Sequence, residues 1–106
     1  MKFRGGMSEL MRQASRLQRK VEKRKAELKE ETVEASAGNE QVTVVANGGG
    51  DLVSVTIAPE LLQQEDLSMV QDLIVGAANA ALQKSREMVE EEVEKATGGM
   101  KVPGLV

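Results

Sequence analysis

The first third of the chain repeats its apolar residues with the period of an α-helix. They are spaced three, four or seven positions apart: Leu10, Ala14, Leu17, Val21 and Leu28. Arg24 is the one polar residue that interrupts this apolar seam, and Ser8 is suited to cap the helix because its hydroxyl can accept a hydrogen bond from a free backbone N–H. The pattern predicts a helix from about residue 8 to about residue 30.

The next stretch changes to the two-residue period of β-strands. Residues 32–37 alternate in character, residues 41–46 are β-branched and apolar, and residues 52–58 alternate again. Residues 38–39 predict a turn, and the glycine-rich residues 47–51 predict a hairpin loop. The sequence therefore predicts a three-stranded antiparallel meander.

A second long helix is predicted after the sheet. Pro59 ends the third strand, and residues 59–62 read as a short turn. Glu65 and Asp66 favour a helix start, because carboxylates stabilise the positive end of the helix dipole. The helix is expected to run to about Thr97, where the pair Gly98–Gly99 ends it.

The predicted protomer is a single α+β domain of order α-β-β-β-α over residues 1–106, with flexible tails at residues 1–7 and 98–106. Two helices are too few to cover both faces and both edges of a three-stranded sheet, so we expect a homodimer. The expected dimer contacts are apolar or small: Val53, Val55, Ile57, Ile74, Ala77, Ala78 and Ala81. The small residues 76–81 are equally suited to packing on the sheet within one chain.

The composition narrows the function. Histidine and cysteine are absent, which excludes the usual zinc sites, thiol chemistry and disulfides, and Phe3 is the only aromatic residue available to line a ligand pocket. We therefore expect no enzyme activity, metal, cofactor or small-molecule ligand. The chain shows neither a secretory signal nor an apolar run that could span a membrane, so we expect it to be cytoplasmic and to have no membrane partner.

Charge is distributed very unevenly along the chain. Residues 1–30 hold ten Lys/Arg and four Glu, a formal charge of +6, whereas residues 31–106 hold four Lys/Arg and thirteen Asp/Glu, a formal charge of −9. Helical periodicity aligns a row of cations nearly opposite the apolar seam: Arg12, Arg16, Arg19 and Lys23, bordered by Lys20. Lys2 and Arg4 add charge upstream, and Lys84 and Arg86 are weaker additions.

Three interpretations of this basic row stay open at this point. Duplex DNA would neutralise it through the phosphates, and the lack of interleaved aromatic residues disfavours base stacking of single strands. Alternatively, the glutamates at residues 87–94 could neutralise it if the two long helices pair antiparallel. A third possibility is that the helices clasp another protein.

Several short segments occur in an order and spacing that resemble one known family. They are Gly5–Gly6, Leu10–Met11–Arg12–Gln13–Ala14, Leu17–Gln18, Asn47–Gly48, Pro59–Glu60–Leu61–Leu62, Asp72–Leu73–Ile74, Ala77–Ala78–Asn79–Ala80–Ala81 and Gly98–Gly99–Met100. Together they resemble the YbaB/EbfC family of bacterial nucleoid-associated proteins, over nearly the whole chain.

The resemblance implies an α-β-β-β-α protomer in a tweezer-like homodimer whose projecting helices bind duplex DNA in the nucleoid, with a role in nucleoid organisation and gene regulation. Arg12 lies within the family's early-helix motif, while Arg16, Arg19, Lys20 and Lys23 depend on the geometry of the row. The chain departs from the usual pattern in its strongly basic residues 19–29 and in its lengthened Gly48–Gly50 hairpin.

Overall fold

The computed structural model describes residues 2–63 and 66–99, with side chains from residue 6 onward. Its elements are α1 (Lys2–Leu28), β1 (Thr32–Ala37), β2 (Val42–Asn47), β3 (Leu52–Ile57), α2 (Pro59–Leu62) and α3 (Leu67–Ala96). This order confirms the predicted α+β protomer. Of the predicted flexible tails, residues 2–7 are helical and residues 98–99 form a turn, while residues 1 and 100–106 lie outside the described residues.

Two helix boundaries differ from the sequence prediction. α1 begins at Lys2 and not near Ser8, because two glycines weaken a helix without breaking it. The turn predicted at residues 59–62 is a one-turn helix with Pro59 at its start, where the missing N–H costs nothing. α3 begins one residue after Asp66, whose carboxylate accepts a hydrogen bond from the Met69 backbone N–H at 3.2 Å. Glu65, the other predicted start residue, lies outside the described part of the chain.

The sheet is the predicted meander, in the order β1-β2-β3 with antiparallel pairing throughout. Val44 at its centre pairs with Ala35 on one side and Val55 on the other. The alternation of β2 gives one buried face, formed by Val42, Val44 and Ala46. α3 packs against this face of the sheet.

α3 lies across β1 and β2 and closes the main core. Ala77 and Ala81 are completely buried among the β2 residues, and Leu61 of α2 and Val70 join the same cluster. Short side chains let the helix backbone approach the sheet closely. The small residues at positions 77 and 81 therefore serve packing within one chain, the alternative to a role in dimer contacts.

A second packed region joins the end of α1 to the second half of α3. Val21 and Leu28 of α1 are buried, as are Val93 and Ser85 of α3. The Ser85 hydroxyl donates to the Asn47 carbonyl oxygen at 2.6 Å, which ties α3 to the end of β2. This region holds one end of α1 against the body of the protein.

Gly48 makes a close approach in this region that a larger residue could not make. Its backbone N–H donates to the carbonyl oxygens of Leu28 and Glu31, each at 3.0 Å. A Cβ atom at this position would lie 2.3 Å from the Leu28 carbonyl oxygen. The hairpin glycine therefore satisfies a free carbonyl at the end of α1 and fixes where β1 begins.

The rest of α1 projects beyond the body, and the described molecule measures 77 × 19 × 15 Å. We call residues 6–20 the arm. Each of its residues is exposed except Leu17, which is half-buried. Within the residues described, no helix combines the length and the apolar character needed to cross a bilayer.

Candidate nucleic-acid interface

Five cations run along one side of α1, mostly on the arm. We call them the basic stripe: Arg12, Arg16, Arg19, Lys20 and Lys23. All five are exposed. The stripe rises about 16 Å along the helix axis, at 1.5 Å per residue. The helical spacing thus aligns the predicted site residues on one side of a projecting rod.

The basic stripe is almost free of acidic partners within the part of the chain that is described. Arg12 forms an ion pair with Glu9, with 3.6 Å between Nη1 and Oε2, and both side chains are more than half exposed. Arg16, Arg19, Lys20 and Lys23 form no ion pair with a described carboxylate. Like charges three and four positions apart repel one another along this helix. A polyanion would relieve that repulsion.

Lys2 and Arg4, the upstream additions to the predicted site, belong to the first turns of α1. Their side chains lie outside the described residues. The weaker additions on α3 are engaged locally: the Lys84 ammonium donates to the Glu34 carbonyl oxygen at 2.9 Å, and Arg86 donates to the Gln83 side chain at 2.7 Å. They sit apart from the basic stripe, on the body of the protein.

The described ion pairs between α1 and α3 are made by Arg24, a residue outside the stripe. Its guanidinium donates to Glu31 at 2.6 Å and to Glu92 at 2.5 Å, and Glu27 lies 3.6 Å away. Sequence reasoning treated Arg24 only as a break in the apolar seam. The available signal was its position at the edge of that seam, where a long side chain can reach the neighbouring helix. Glu92, in the glutamate-rich end of α3, thus binds Arg24, which follows the arm, and leaves the stripe exposed.

Arg24, Glu31, Glu92 and Lys95 form a cluster of ion pairs in which opposite charges stabilise one another. Hydrogen bonds to Glu31 and then to Glu92 raise the pKa of Arg24 above its ordinary value. Hydrogen bonds from Arg24 and then from Lys95 lower the pKa of Glu92. Contact with Glu92 raises the pKa of Lys95. These shifts favour the charged forms of Arg24, Glu92 and Lys95, so the contact between α1 and α3 is made by full charges near neutral pH.

A second exposed feature is apolar and lies at the β3 edge of the sheet. Leu52 and Val55 pair opposite the buried residues of β2, on the side that faces α3, yet both are exposed because α3 covers mainly β1 and β2. Of the predicted dimer contacts, Val53 is exposed, whereas Ile57, Ile74 and Ala78 are half-buried. Ala77 and Ala81 are inside the protomer, where a partner chain has no access to them.

Comparison with known proteins gives consistent results. The model of the YbaB/EbfC DNA-binding family matches residues 3–100. A nucleoid-associated protein of Acetivibrio thermocellus is 50% identical over 104 residues, covering 97% of this chain and 92% of the relative. Proteins with the same description from Pelotomaculum thermopropionicum and Myxococcus xanthus are 44% and 48% identical, covering 95% and 90% of this chain and 96% and 90% of the relatives.

The fold also occurs in a solved structure. An uncharacterized protein from Helicobacter pylori superimposes with a TM-score of 0.56 at 23% identity, covering 85% of this chain and 93% of that one. This likeness shows the fold alone. The family model and the relatives, each spanning nearly the whole chain, carry the assignment: the chain belongs to the YbaB/EbfC DNA-binding family.

Proposed function

We propose that this protein is a nucleoid-associated protein that binds duplex DNA as a homodimer, chiefly through phosphate contacts made by the basic stripe. The observation that carries the proposal is the row of exposed cations on a projecting arm, four of which have no ion-pair partner among the described carboxylates. Membership of a DNA-binding family supports it. The proposed setting is the bacterial cytoplasm, with a role in nucleoid organisation and gene regulation.

Electrostatics favours the DNA backbone as the ligand. B-DNA carries one negative charge per about 1.7 Å of its axis, so a rod with a row of cations about 16 Å long faces a dense row of phosphates. Arg side chains donate to phosphate oxygens through a planar fork, which suits Arg12, Arg16 and Arg19. The proposal is therefore one of binding, not catalysis, and it calls for no cofactor or metal.

The dimer is proposed from the apolar β3 edge. Burying it against a second copy would remove Leu52, Val53 and Val55 from water, with Ile57, Ile74 and Ala78 at the margin. An exposed strand edge with apolar side chains is an aggregation hazard unless it is covered, and a symmetric partner covers it. A dimer also carries two arms, which doubles the number of phosphate contacts.

A salt titration of DNA binding tests the proposal. If each protomer neutralises about four phosphates, the slope of log affinity against log salt should be near −7 for the dimer, at about −0.9 per contact. The variant Arg16→Gln/Lys23→Gln removes two stripe cations per protomer and should reduce the magnitude of that slope by about 3 to 4. The matched variant Lys84→Gln/Arg86→Gln makes the same charge change on α3 and should leave the slope nearly unchanged.

Equal slopes for the two variants would contradict the assignment of the stripe. Absence of salt-sensitive binding by the native protein would contradict DNA binding altogether and favour an arm that clasps another protein. Light scattering on each variant provides the mass, so that a change of oligomeric state is not mistaken for a change of DNA contacts.

A further inference from the structure

The apolar seam of α1 continues along the arm beyond the point where α3 ends. Val21 is 1% exposed beneath α3, whereas Leu10 and Met7, on the same side of α1, are each 63% exposed. Between them, Ala14 is exposed and Leu17 is half-buried. We call Met7, Leu10, Ala14 and Leu17 the arm seam. Within the described part of the chain, no element packs on the arm seam upstream of Leu17.

The apolar seam has the spacing of a coiled coil. Its positions alternate in steps of three and four residues: 7, 10, 14, 17, 21, 24 and 28. An average step of about 3.5 residues keeps one row of side chains facing a partner helix along the whole length. In the second half of α1 that partner is α3, and Val21 and Val93 are both buried there. Because the arm continues the same repeat, we expect its partner to be another helix.

The packing surface that α3 uses on α1 is continuous with the arm seam. The two helices run antiparallel, because Arg24 meets Glu92 and Lys20 lines the same groove as Ala96. The glycines at positions 98 and 99 have left-handed φ values of 66° and 86°, which end α3 at this level. A further helix that runs antiparallel to α1 could therefore follow on from α3 and cover the arm.

The arm seam is complementary to itself when two copies run antiparallel. In the register that places Leu10 of one copy against Ala14 of the other, Met7 lies against Leu17. The central layers then each combine a large side chain with a small one, which fills the space between two helices. A parallel pair would place Ala14 against Ala14 and leave that layer underfilled. Antiparallel arms also keep the two protein bodies at opposite ends of the pair.

The charges along the arm permit this pairing. The arm seam is flanked by uncharged side chains, Met11 and Gln18 on one side and Gln13 on the other. In the antiparallel register Gln13 lies near Gln13 of the second copy, and Met11 lies near Met11. Lys20, the stripe cation closest to the seam, lies near Gly6 of the second copy. Because the rest of the basic stripe is nearly opposite the seam, the two stripes stay apart and exposed.

We propose that the arm seams of two copies pair as a short antiparallel coiled coil, which joins one protein body to another. The pairing requires neither DNA nor the apolar β3 edge, so it stands apart from the proposed function. An overlap over residues 7–17 is small beside a standard interface of about 800 Å² per partner, so the association is weak and depends on protein concentration. The pairing also stabilises the arm, because isolated helices of about 15 residues are marginal in water.

Disulfide trapping between two differently tagged chains tests the pairing and its direction, because the chain has no cysteine of its own. Leu10→Cys is mixed with Ala14→Cys and oxidised without DNA, so that the two thiols meet in the antiparallel register. The matched mixture of Ser8→Cys with Ser15→Cys has its thiols away from the seam, at nearly the same heights along the arm. We expect the link between unlike chains to form about tenfold faster in the first mixture, because packing raises the effective concentration of the two thiols.

Equal rates in the two mixtures would overturn the proposal. Faster linking between two Leu10→Cys chains than between Leu10→Cys and Ala14→Cys would also overturn it, because a parallel pair brings identical residues together.

Sedimentation equilibrium without DNA gives an independent readout of the same pairing. At high protein concentration Met7→Glu/Leu10→Glu should reduce the average mass to about half that of the native protein or less, because charges in the seam prevent two arms from packing. Ser8→Glu/Ser15→Glu makes the same charge change away from the seam and should keep the native mass. Equal masses for the native protein and Met7→Glu/Leu10→Glu would contradict pairing through the arm seam, whatever the protein does with DNA.

Discussion

The two halves of α1 carry the same apolar repeat but lie in opposite environments. In the half that ends at Leu28, the repeat is buried against α3 and the hairpin loop, and Leu28 is fully inaccessible to solvent. In the arm, the repeat continues through Leu10, which is 63% exposed. The apolar repeat therefore predicts which face of a helix can pack against another element. Whether that face is covered depends on where the neighbouring helices and loops end.

The largest expected effect on the free energy of unfolding comes from a substitution in the packed half of α1. Leu28→Ala should lower the free energy of unfolding by about 2 to 5 kcal/mol, because it opens a cavity in a fully packed site. Leu10→Ala removes the same atoms from the same repeat on the arm, and should cost less than about 1 kcal/mol. Urea unfolding at equal protein concentration measures both. Similar losses would mean that the two halves are equally packed.

A second prediction concerns Gly48, whose backbone contacts the end of α1 at Leu28. Gly48→Ala should cost about 1 to 3 kcal/mol, because its Cβ would overlap the Leu28 carbonyl oxygen and no flexible side chain can give way. Gly6→Ala is the matched change on the arm, where nothing lies within 4 Å of the added atom. It should be neutral or slightly stabilising, since alanine is the better helix former. Thermal unfolding measures both variants. A larger loss of stability in Gly6→Ala than in Gly48→Ala would contradict the close approach of Gly48 to Leu28.

A third, smaller effect is expected at the bond between α3 and β2. Ser85→Ala removes the donor to the Asn47 carbonyl oxygen and should cost about 1 kcal/mol, the usual net value of a buried hydrogen bond. Ser15→Ala on the arm removes an exposed hydroxyl and should leave the free energy of unfolding within about 0.5 kcal/mol of native. Urea midpoints measure the difference, and equal midpoints would contradict a structural role for the Ser85 hydroxyl.

Sequence reasoning could identify the elements because each has a local signature. The alternation around Val44 and the spacing of the seam residues both depend on neighbours in the chain, so the strands and both long helices were predictable. The exposure of the stripe followed from the same periodicity, because a row opposite the seam cannot face the core.

What sequence could not supply depends on tertiary packing. Nothing local distinguishes Ala77, buried on the sheet, from a small residue at a dimer surface. Likewise, Arg24 looks like an interruption until Glu92 is placed beside it by the antiparallel contact of two helices separated by the whole sheet. The extent of the arm also required the end of α3 to be located against α1.

The smallest expected effect lies at the boundary between the two halves of α1. Arg24→Gln removes the donor shared by Glu31 and Glu92 and should lower Tm at pH 7, whereas Arg16→Gln should not lower it, because Arg16 has no described ion-pair partner. The native contacts lower the pKa of Glu92, so their stabilisation is present above the ordinary carboxylate pKa and is lost as the pH falls through the lowered value.

The Tm difference between native protein and Arg24→Gln should therefore be largest near neutral pH. It should narrow as the pH falls below about 4, where carboxylates begin to take up protons. At alkaline pH the relevant group is Lys95, whose pKa is raised by Glu92. The stabilisation from the contact between Lys95 and Glu92 is present below the ordinary lysine pKa and is lost as the pH rises through the raised value. Differential scanning calorimetry from pH 3 to pH 8 checks the acidic limb. A Tm difference that stayed constant over that range would show that Arg24 acts by packing its alkyl chain and not through its carboxylate partners.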